Sequence, residues 1–298
     1  GYFMTYHCKR QVDTTRRVFY TFMEADGTIV TNNEITSFDK HQGYPTMVID
    51  PISAKPLYAW HVEVDPADEY YDVEFTSDAF FFRTAGMFND VETIVNNPIE
   101  IITTINPSTL DNQFLWPTAQ IGPSPINGKR RIYVVSRNTT THGQGPSENI
   151  YMKFADFDGE DIENAIPFTW YLSTIPLLNE WNNDTGELRR ANCALTTDNS
   201  GNVYYIGYHN AWDVDGNYIN EDEFNVFKCG NYGQGEWTRL NLPGTAATWN
   251  PPEGPGSTVG WLDSEGVPWT DDDLSWSIGN SSHLNAVVDN YGRLIFGG

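Results

Sequence analysis

Ala191-Asn192-Cys193-Ala194-Leu195-Thr196-Thr197-Asp198-Asn199-Ser200-Gly201-Asn202-Val203-Tyr204-Tyr205-Ile206-Gly207-Tyr208-His209 is the stretch on which the fold turns. Its apolar runs are too short for helices, are rich in β-branched and aromatic residues, and are interrupted by an Asp/Asn/Gly cluster. The stretch therefore reads as a β-hairpin. Asp198 stands first and Gly201 fourth, the preferred ends of a type I turn in which the Asp side chain caps its own backbone.

The same phrase recurs at Pro45–Asp50 with Pro56–His61, at Pro117–Gly122 with Arg131–Arg137, and at Asn285–Phe296, whose turn is again Asp289-Asn290-Tyr291-Gly292. The openings Pro45, Pro117, Asn192 and Asn285 stand 72, 75 and 93 residues apart. Regular recurrence signals stacked or radially arranged units. Two more strand-like runs follow each complete hairpin: Tyr71–Thr76 and Ile99–Thr103, Asn149–Phe154 and Phe168–Leu172, Phe224–Cys229 and Trp237–Leu242. Four antiparallel strands make a propeller blade, so an all-β propeller of four-stranded blades, 72 to 93 residues per repeat, is expected.

At the N-terminus, Tyr2–His7, Arg17–Phe22 and Thr28–Thr31 match second, third and fourth strands, so residues 1–40 form a partial blade. Blades follow at 41–114, 115–188 and 189–242, then a Trp-rich insertion at 243–282 and a second partial blade at 283–298. No stretch has sustained helical apolar spacing, and very little helix is expected. A ring closes with at least ~4 blades. Further segments of the same polypeptide, or closure between its two partial blades, are therefore expected to complete it.

Acidic residues outnumber basic ones 40 to 17, a net charge of −23. That balance excludes nucleic acid, whose phosphates demand clustered Lys and Arg, and disfavours an anionic membrane surface. No apolar run is long enough to insert into a membrane. Aromatic residues, 14% of the chain, supply a core despite the low mean hydropathy. Of three cysteines, Cys193 and Cys229 fall on the first and third strands of one blade, ~9.5 Å apart at ~4.8 Å per strand, too far for a disulfide. Buried free thiols are expected.

The aromatic-Pro lead-ins Tyr44-Pro45 and Trp116-Pro117, the Asp…Gly turns and the Trp60-His61 or Tyr208-His209 endings together resemble the secreted sialidase-type repeat propellers. That family's Asp-box, Ser-x-Asp-x-Gly-x-x-Trp, has no intact copy; its nearest echo is Asn231–Trp237. The resemblance implies a secreted or cell-surface location and, for an enzyme, three arginines on a substrate carboxylate, a Tyr–Glu nucleophilic pair and an Asp acid/base. Arg10, Arg83, Arg137, Arg189 and Arg190 lie near strand ends, but their spacing selects no triad.

His7, His61 and His209 occupy equivalent second-strand positions, which diverge from the axis and cannot share one ion at ~2.1 Å. Asp213, Asp215, Asn217 and Asp222 offer oxygen ligands on one turn, suited to a structural calcium, with a weaker second case at Asp156–Asp161; solvated turns account for both equally simply. In the insertion, Trp249, Trp261, Trp269 and Trp276 beside Asp271 and Asp272 form a platform for sugar faces and hydroxyls, or else fold the loop onto the blade edges. Three readings follow from the whole. The chain is a glycan- or protein-binding module, a sialidase-like hydrolase, or a structural subunit of an extracellular assembly.

Overall fold

The computed structural model describes residues 1–36, 40–65, 70–80, 86–97, 99, 114–138, 150–174, 193–212, 218–240, 265–267 and 285–297. These residues build five antiparallel sheets in chain order. The first holds β1 (Tyr2–Cys8), β2 (Arg17–Met23) and β3 (Ile29–Glu34); the second β4 (Gln42–Ile49), β5 (Pro56–Asp65), β6 (Tyr70–Ser77) and β7 (Glu92–Val95). The third holds β8 (Phe114–Pro123), β9 (Arg130–Asn138), β10 (Ile150–Phe157) and β11 (Tyr171–Thr174). The fourth holds β12 (Cys193–Thr197), β13 (Val203–Trp212), β14 (Tyr218–Cys229) and β15 (Trp237–Arg239), and β16 (Asn285–Val288) with β17 (Leu294–Gly297) makes the fifth. Every sheet is a simple meander.

The cores lie between successive sheets. Successive residues of a strand point to opposite faces. In β5, Tyr58, Trp60 and Val62 join Val18, Tyr20 and Phe22 of the first sheet, whereas Leu57 and Ala59 join Ile132 and Val134 of the third. In β9, Tyr133 and Val135 turn the other way, onto Leu195, Val203 and Tyr205 of the fourth. In β13, Tyr204 and Ile206 face Ala286 and Val288 of the fifth. Burial on both faces explains why runs such as Ile132–Val135 are apolar throughout instead of alternating.

The first strands of neighbouring sheets run side by side and parallel. Ala119 N donates to Thr46 Oγ1 (3.2 Å), Cys193 Sγ lies 4.0 Å from Thr118 Oγ1, and Thr197 Oγ1 lies 3.5 Å from Ile121 O. Thr46, Thr118 and Cys193 are thus equivalent, as the repeat alignment requires. By contrast β1 runs antiparallel to β4: His7 at its end meets Tyr44 near the start of β4, while Phe3 near its start and Met47 near the end of β4 pack against the same core. Hence β1 is a second strand, and the first sheet lacks a first strand among the described residues.

Hairpin turns follow the expected chemistry. Asp198 Oδ1 accepts from the backbone N of Ser200 and Asn202, and Asp289 Oδ1 from Tyr291 and Arg293, each at 2.9 Å. Gly201 and Gly292 close these turns at φ +78° and +75°.

Three expectations change. The fourth strand of the second sheet is β7, not Ile99–Thr103; Ile99 is outside any strand and 100–103 lie outside the described residues. Asn97 ends the strand by accepting from Phe114 N (3.1 Å) while its own N–H is taken by Asp72 (2.8 Å), which diverts the chain toward β8. The outer strands of the next two sheets are shifted or shorter, at Tyr171–Thr174 and Trp237–Arg239. Finally, Cys8, Cys193 and Cys229 are free as expected, but only Cys229 is buried.

Helix is confined to α1 (Gly159–Glu163) and one 3-10 turn at Asn231–Gly233 among the described residues. The α1 segment also removes the weaker calcium candidate. Asp158 caps the helix, Asp161 completes the capping box and binds Lys129 (2.8 Å), and Asp156 is held by Arg131 (2.6 Å). These carboxylates already have partners.

Candidate functional site

Each complete sheet has a turn end, where the first-to-second-strand hairpins close, and a loop end, where the longer connections leave. The loop end carries the aromatic-Pro dipeptides. Tyr44-Pro45 interrupts the pairing of β4 with β5 between Gly43 and Thr46, and Trp116-Pro117 interrupts that of β8 with β9 between Leu115 and Thr118. Proline, which has no N–H for the ladder, is tolerated at such bulges. The residues before it are held at φ +47° (Tyr44) and +49° (Trp116), a left-handed conformation that costs a side-chain-bearing residue about 1–2 kcal/mol. Strain of this kind at matching positions points to function.

The strain brings the two rings together. Tyr44 and Trp116 meet edge to face with centroids 6.0 Å apart, and Tyr44 is 45% exposed. Beneath and beside Tyr44 lie His7 (4.9 Å between centroids) and His61 (5.1 Å), and Tyr71 continues from His61 at 5.3 Å. The Tyr44 N–H donates to His7 Nδ1 (2.8 Å), which leaves His7 with its proton on Nε2. His61 is only 3% exposed, and neither ring nitrogen has a hydrogen-bond partner. Burial, together with Arg16, His41 and His7, pushes it down to about 3, so its imidazole is neutral at physiological pH.

Arg16 frames the other side. Its guanidinium lies 5.2 Å from the Tyr44 ring centroid, and its Nε donates to Gln42 O (2.8 Å). A Cβ at Gly43 would meet the end of the flexible Arg16 side chain. His41 stands at the same corner, tied to β5 by Glu63 N donating to its carbonyl (2.8 Å). Burial lowers His41 further than Arg16 and Lys9 do, against a raising pull from Glu63.

On the opposite face of β5 and β6, Glu74 sits across from Trp60. Burial pushes its carboxyl up to about 7, with Asp72 adding to the rise and Lys40 opposing it. Glu74 can therefore hold or release a proton near neutrality. Among the described residues, no group of three His, Cys, Asp or Glu is arranged to hold a metal ion, and no helix is long and apolar enough to cross a membrane.

The residues singled out from sequence fall mostly elsewhere. Trp249, Trp261, Trp269, Trp276, Asp271 and Asp272 lie outside the described residues, as do Asp213, Asp215 and Asn217. Asp222 is on β14 opposite Asn210. Arg83, Arg189 and Arg190 also lie outside, and Arg137 is on β9 at the position equivalent to His61. Arg10 is paired with Asp13 (2.9 Å) and Glu34 (2.5 Å) and is no part of the corner. The structure instead assembles Tyr44, Trp116, His7, His61, His41 and Arg16. Two sequence signals touched this group, the repeated aromatic-Pro dipeptide and the equivalent histidines His7 and His61, which were expected to diverge but both lie against Tyr44; nothing local marked Arg16 or His41.

No protein-family model matches the chain, and no curated protein matches it. Solved structures do. The chain is similar to the Hadza microbial sialidase Hz136, at 11% identity and a TM-score of 0.49, over 99% of this chain and 50% of that one. It is also similar to an exo-β-1,3-galactanase from Phanerochaete chrysosporium (9% identity, TM-score 0.41, 81% of this chain and 48% of that one). A third is an N-acetylgalactosamine deacetylase from F. plautii (10%, 0.37, 80% and 64%). The chain spans about half the length of the first two.

Proposed function

We propose that the five sheets are blades of a β-propeller and that the protein binds a glycan on the Tyr44–Trp116 platform at its loop end. One observation carries this reading: two pre-proline aromatics, in matching bulges of adjacent sheets, adopt the same costly conformation and so bring the half-buried Trp116 edge to face with the exposed Tyr44 ring. A packing role alone gives no reason to keep Tyr44 nearly half exposed. Aromatic faces with polar groups beside them suit sugars, which present C–H faces ringed by hydroxyls.

In this reading the chain is a secreted or cell-surface module, completed by further segments of the same polypeptide. The Trp-rich insertion extends the platform, because β15 ends and β16 begins at the loop end. Trp249, Trp261, Trp269 and Trp276 would add stacking faces, with Asp271 and Asp272 accepting from hydroxyls. Asp213, Asp215, Asn217 and Asp222 would hold a structural calcium between β13 and β14, which chelator-dependent melting would reveal.

A glycan array followed by calorimetry tests the platform. Tyr44→Ala and Trp116→Ala are each expected to weaken binding about tenfold, or ~1.4 kcal/mol. Unchanged binding in both variants would end the reading. The alternative, a sialidase-like hydrolase, is favoured by one observation, the near-neutral Glu74. Glycosidic turnover lost in Glu74→Gln would put catalysis in place of simple binding.

A further inference from the structure

Asp78 is a buried carboxylate to which no cation is bonded. Its N–H donates to Pro56 O (3.0 Å) at the turn end of the second sheet, and its backbone bridges Phe88. Alternation along β6 puts it on the same face as Thr76, which pairs with Tyr58, and so toward the first sheet. Asp78 is fully removed from solvent; its Oδ1 accepts from Phe80 N (3.0 Å), and its Oδ2 has no hydrogen-bond partner. Lys55, whose charge acts on it, gives its ammonium to Glu163 (2.8 Å). Two phenols share the space. Tyr20 and Tyr58, each 1% exposed, meet edge to face at 5.9 Å, and the Phe88 ring stands edge to face with both, at 5.7 and 5.6 Å. The Asp78 carboxylate acts on both phenols, yet Tyr58 Oη has no hydrogen-bond partner either. A phenol within reach of a carboxylate donates to it, so these two atoms stand apart with both left unmet.

We propose that a monovalent cation, potassium or sodium, sits between Asp78 Oδ2 and the Tyr58 hydroxyl, walled by the Tyr20 and Phe88 rings. A proton, a bridging water or a cation could satisfy a buried carboxylate. A proton on Oδ2 needs an acceptor there, and none lies within hydrogen-bond distance. A water would bridge the two atoms but leave the charge buried without a counter-ion, which is costly. A cation meets both oxygens at once and neutralises the charge. The donors set its valence. One carboxylate with neutral oxygens matches a single positive charge, whereas calcium takes about six to eight oxygens, commonly from several carboxylates. Among the described residues no three His, Cys, Asp or Glu side chains gather in that way. The rings add to the fit, because an ion among rings this close lies within the ~6 Å over which an aromatic face attracts a cation. Tyr20 belongs to β2 and Tyr58 to β5, so the ion fastens the first sheet, which lacks a first strand among the described residues, onto the second. The site lies at the opposite end from the Tyr44–Trp116 platform and does not depend on it.

The test is thermal unfolding of the whole chain in potassium, sodium or choline chloride at one ionic strength and neutral pH. Choline screens charges to the same extent but is too bulky for a site among packed rings. In potassium or sodium the melting midpoint is expected to stand about 2–4 °C above that in choline and to saturate with concentration. Asp78→Asn keeps the shape and removes the charge, and is expected to bring the midpoints together. Tyr58→Phe keeps the ring and is expected to raise the half-saturating concentration about tenfold. Tyr44→Ala is expected to leave the salt difference unchanged. Thallium(I), a stand-in for either ion, reads the site without unfolding: crystals soaked in a thallium(I) salt are expected to show anomalous density between Asp78 and Tyr58. Should Asp78→Asn fail to fold, Tyr58→Phe and the thallium density carry the test. Equal midpoints in the three salts, or no thallium density at that place, would overturn the site, and a salt difference that persists undiminished in Asp78→Asn and Tyr58→Phe would do so too.

Discussion

Arg130 and Arg131 leave β9 at the turn end on opposite faces, and each finds a buried carboxylate: Arg130 reaches Asp50 in the second sheet, and Arg131 meets Asp156 in its own sheet before bonding the Tyr232 carbonyl (2.8 Å) in the fourth. Arg16, at the loop end, lies on an aromatic ring with no carboxylate beside it among the described residues. At the turn end these charges are answered, although buried Asp78 keeps one oxygen without a hydrogen-bond partner. Ser124 also donates to Asp156 (2.7 Å), Lys55 to Glu163 (2.8 Å), and Ser173 Oγ to Gly233 O (2.8 Å). The degenerate Asp-box, Asn231–Trp237, belongs to this end, its Tyr232 carbonyl accepting from both Arg131 and Tyr133 (3.0 Å). The loop end keeps unanswered donors at His61 and a carboxyl poised near neutrality at Glu74. Sheets tied together at one end can tolerate strain and unmet polar groups at the other, which is where a ligand can supply what is missing.

The largest expected effect breaks the turn end. Asp50 is fully buried; burial opposes its ionisation, but hydrogen bonds from Arg130 and Ser53 outweigh that and hold its carboxyl below the usual range. Asp50→Ala should cost about 3–5 kcal/mol by leaving the Arg130 guanidinium buried alone. Chemical denaturation would show it. Because the folded pKa of Asp50 is depressed, its contribution is present above its unfolded value near 4 and is lost as pH falls below that.

Glu74, at the loop end, has the opposite sign. Its folded carboxyl, pushed up to about 7, lies above the ordinary glutamate range, so the folded state holds its proton longer and stability falls as pH rises from that range to about 7. Glu74→Gln should therefore gain roughly 2–3 kcal/mol over the parent at pH 8 and nothing at pH 4. A parent whose melting temperature is flat over that window would refute the assignment.

The smallest effect separates backbone strain from packing at two turns. Gly292→Ala meets nothing within 4 Å at φ +75° and should cost about 1 kcal/mol; Gly201→Ala, at φ +78°, drives a methyl to 2.5 Å from the Tyr232 ring and should cost more. Equal melting temperatures for the two variants would show that the Tyr232 loop does not brace the turn end.

Much of the architecture is local and was therefore legible. Asp198 and Asp289 define their turns through bonds to residues two and four positions on, so the four-residue phrase reveals the hairpin and its phase. The equivalence of Thr46, Thr118 and Cys193 followed from that phase alone. The fourth strand of the second sheet was not legible. Ile99–Thr103 has the better β-branched run, but Asn97 closes the strand through Asp72, 25 residues away, and Phe114, 17 away.

The sequence by itself determined which residues pair within a sheet, because alternation, turn chemistry and short-range hydrogen bonds act between neighbours along the chain. Only the tertiary structure decided how sheets meet. Arg130 and Asp50 are 80 residues apart, and Tyr44 contacts His7 across 37. No periodicity encodes such contacts, since they depend on which faces the stacked sheets bury together. The aromatic-Pro dipeptides show both halves of this. Each bulge was visible as a repeated pair of residues, but that the two rings touch, with Arg16 and His41 beside them, follows from adjacent first strands running parallel.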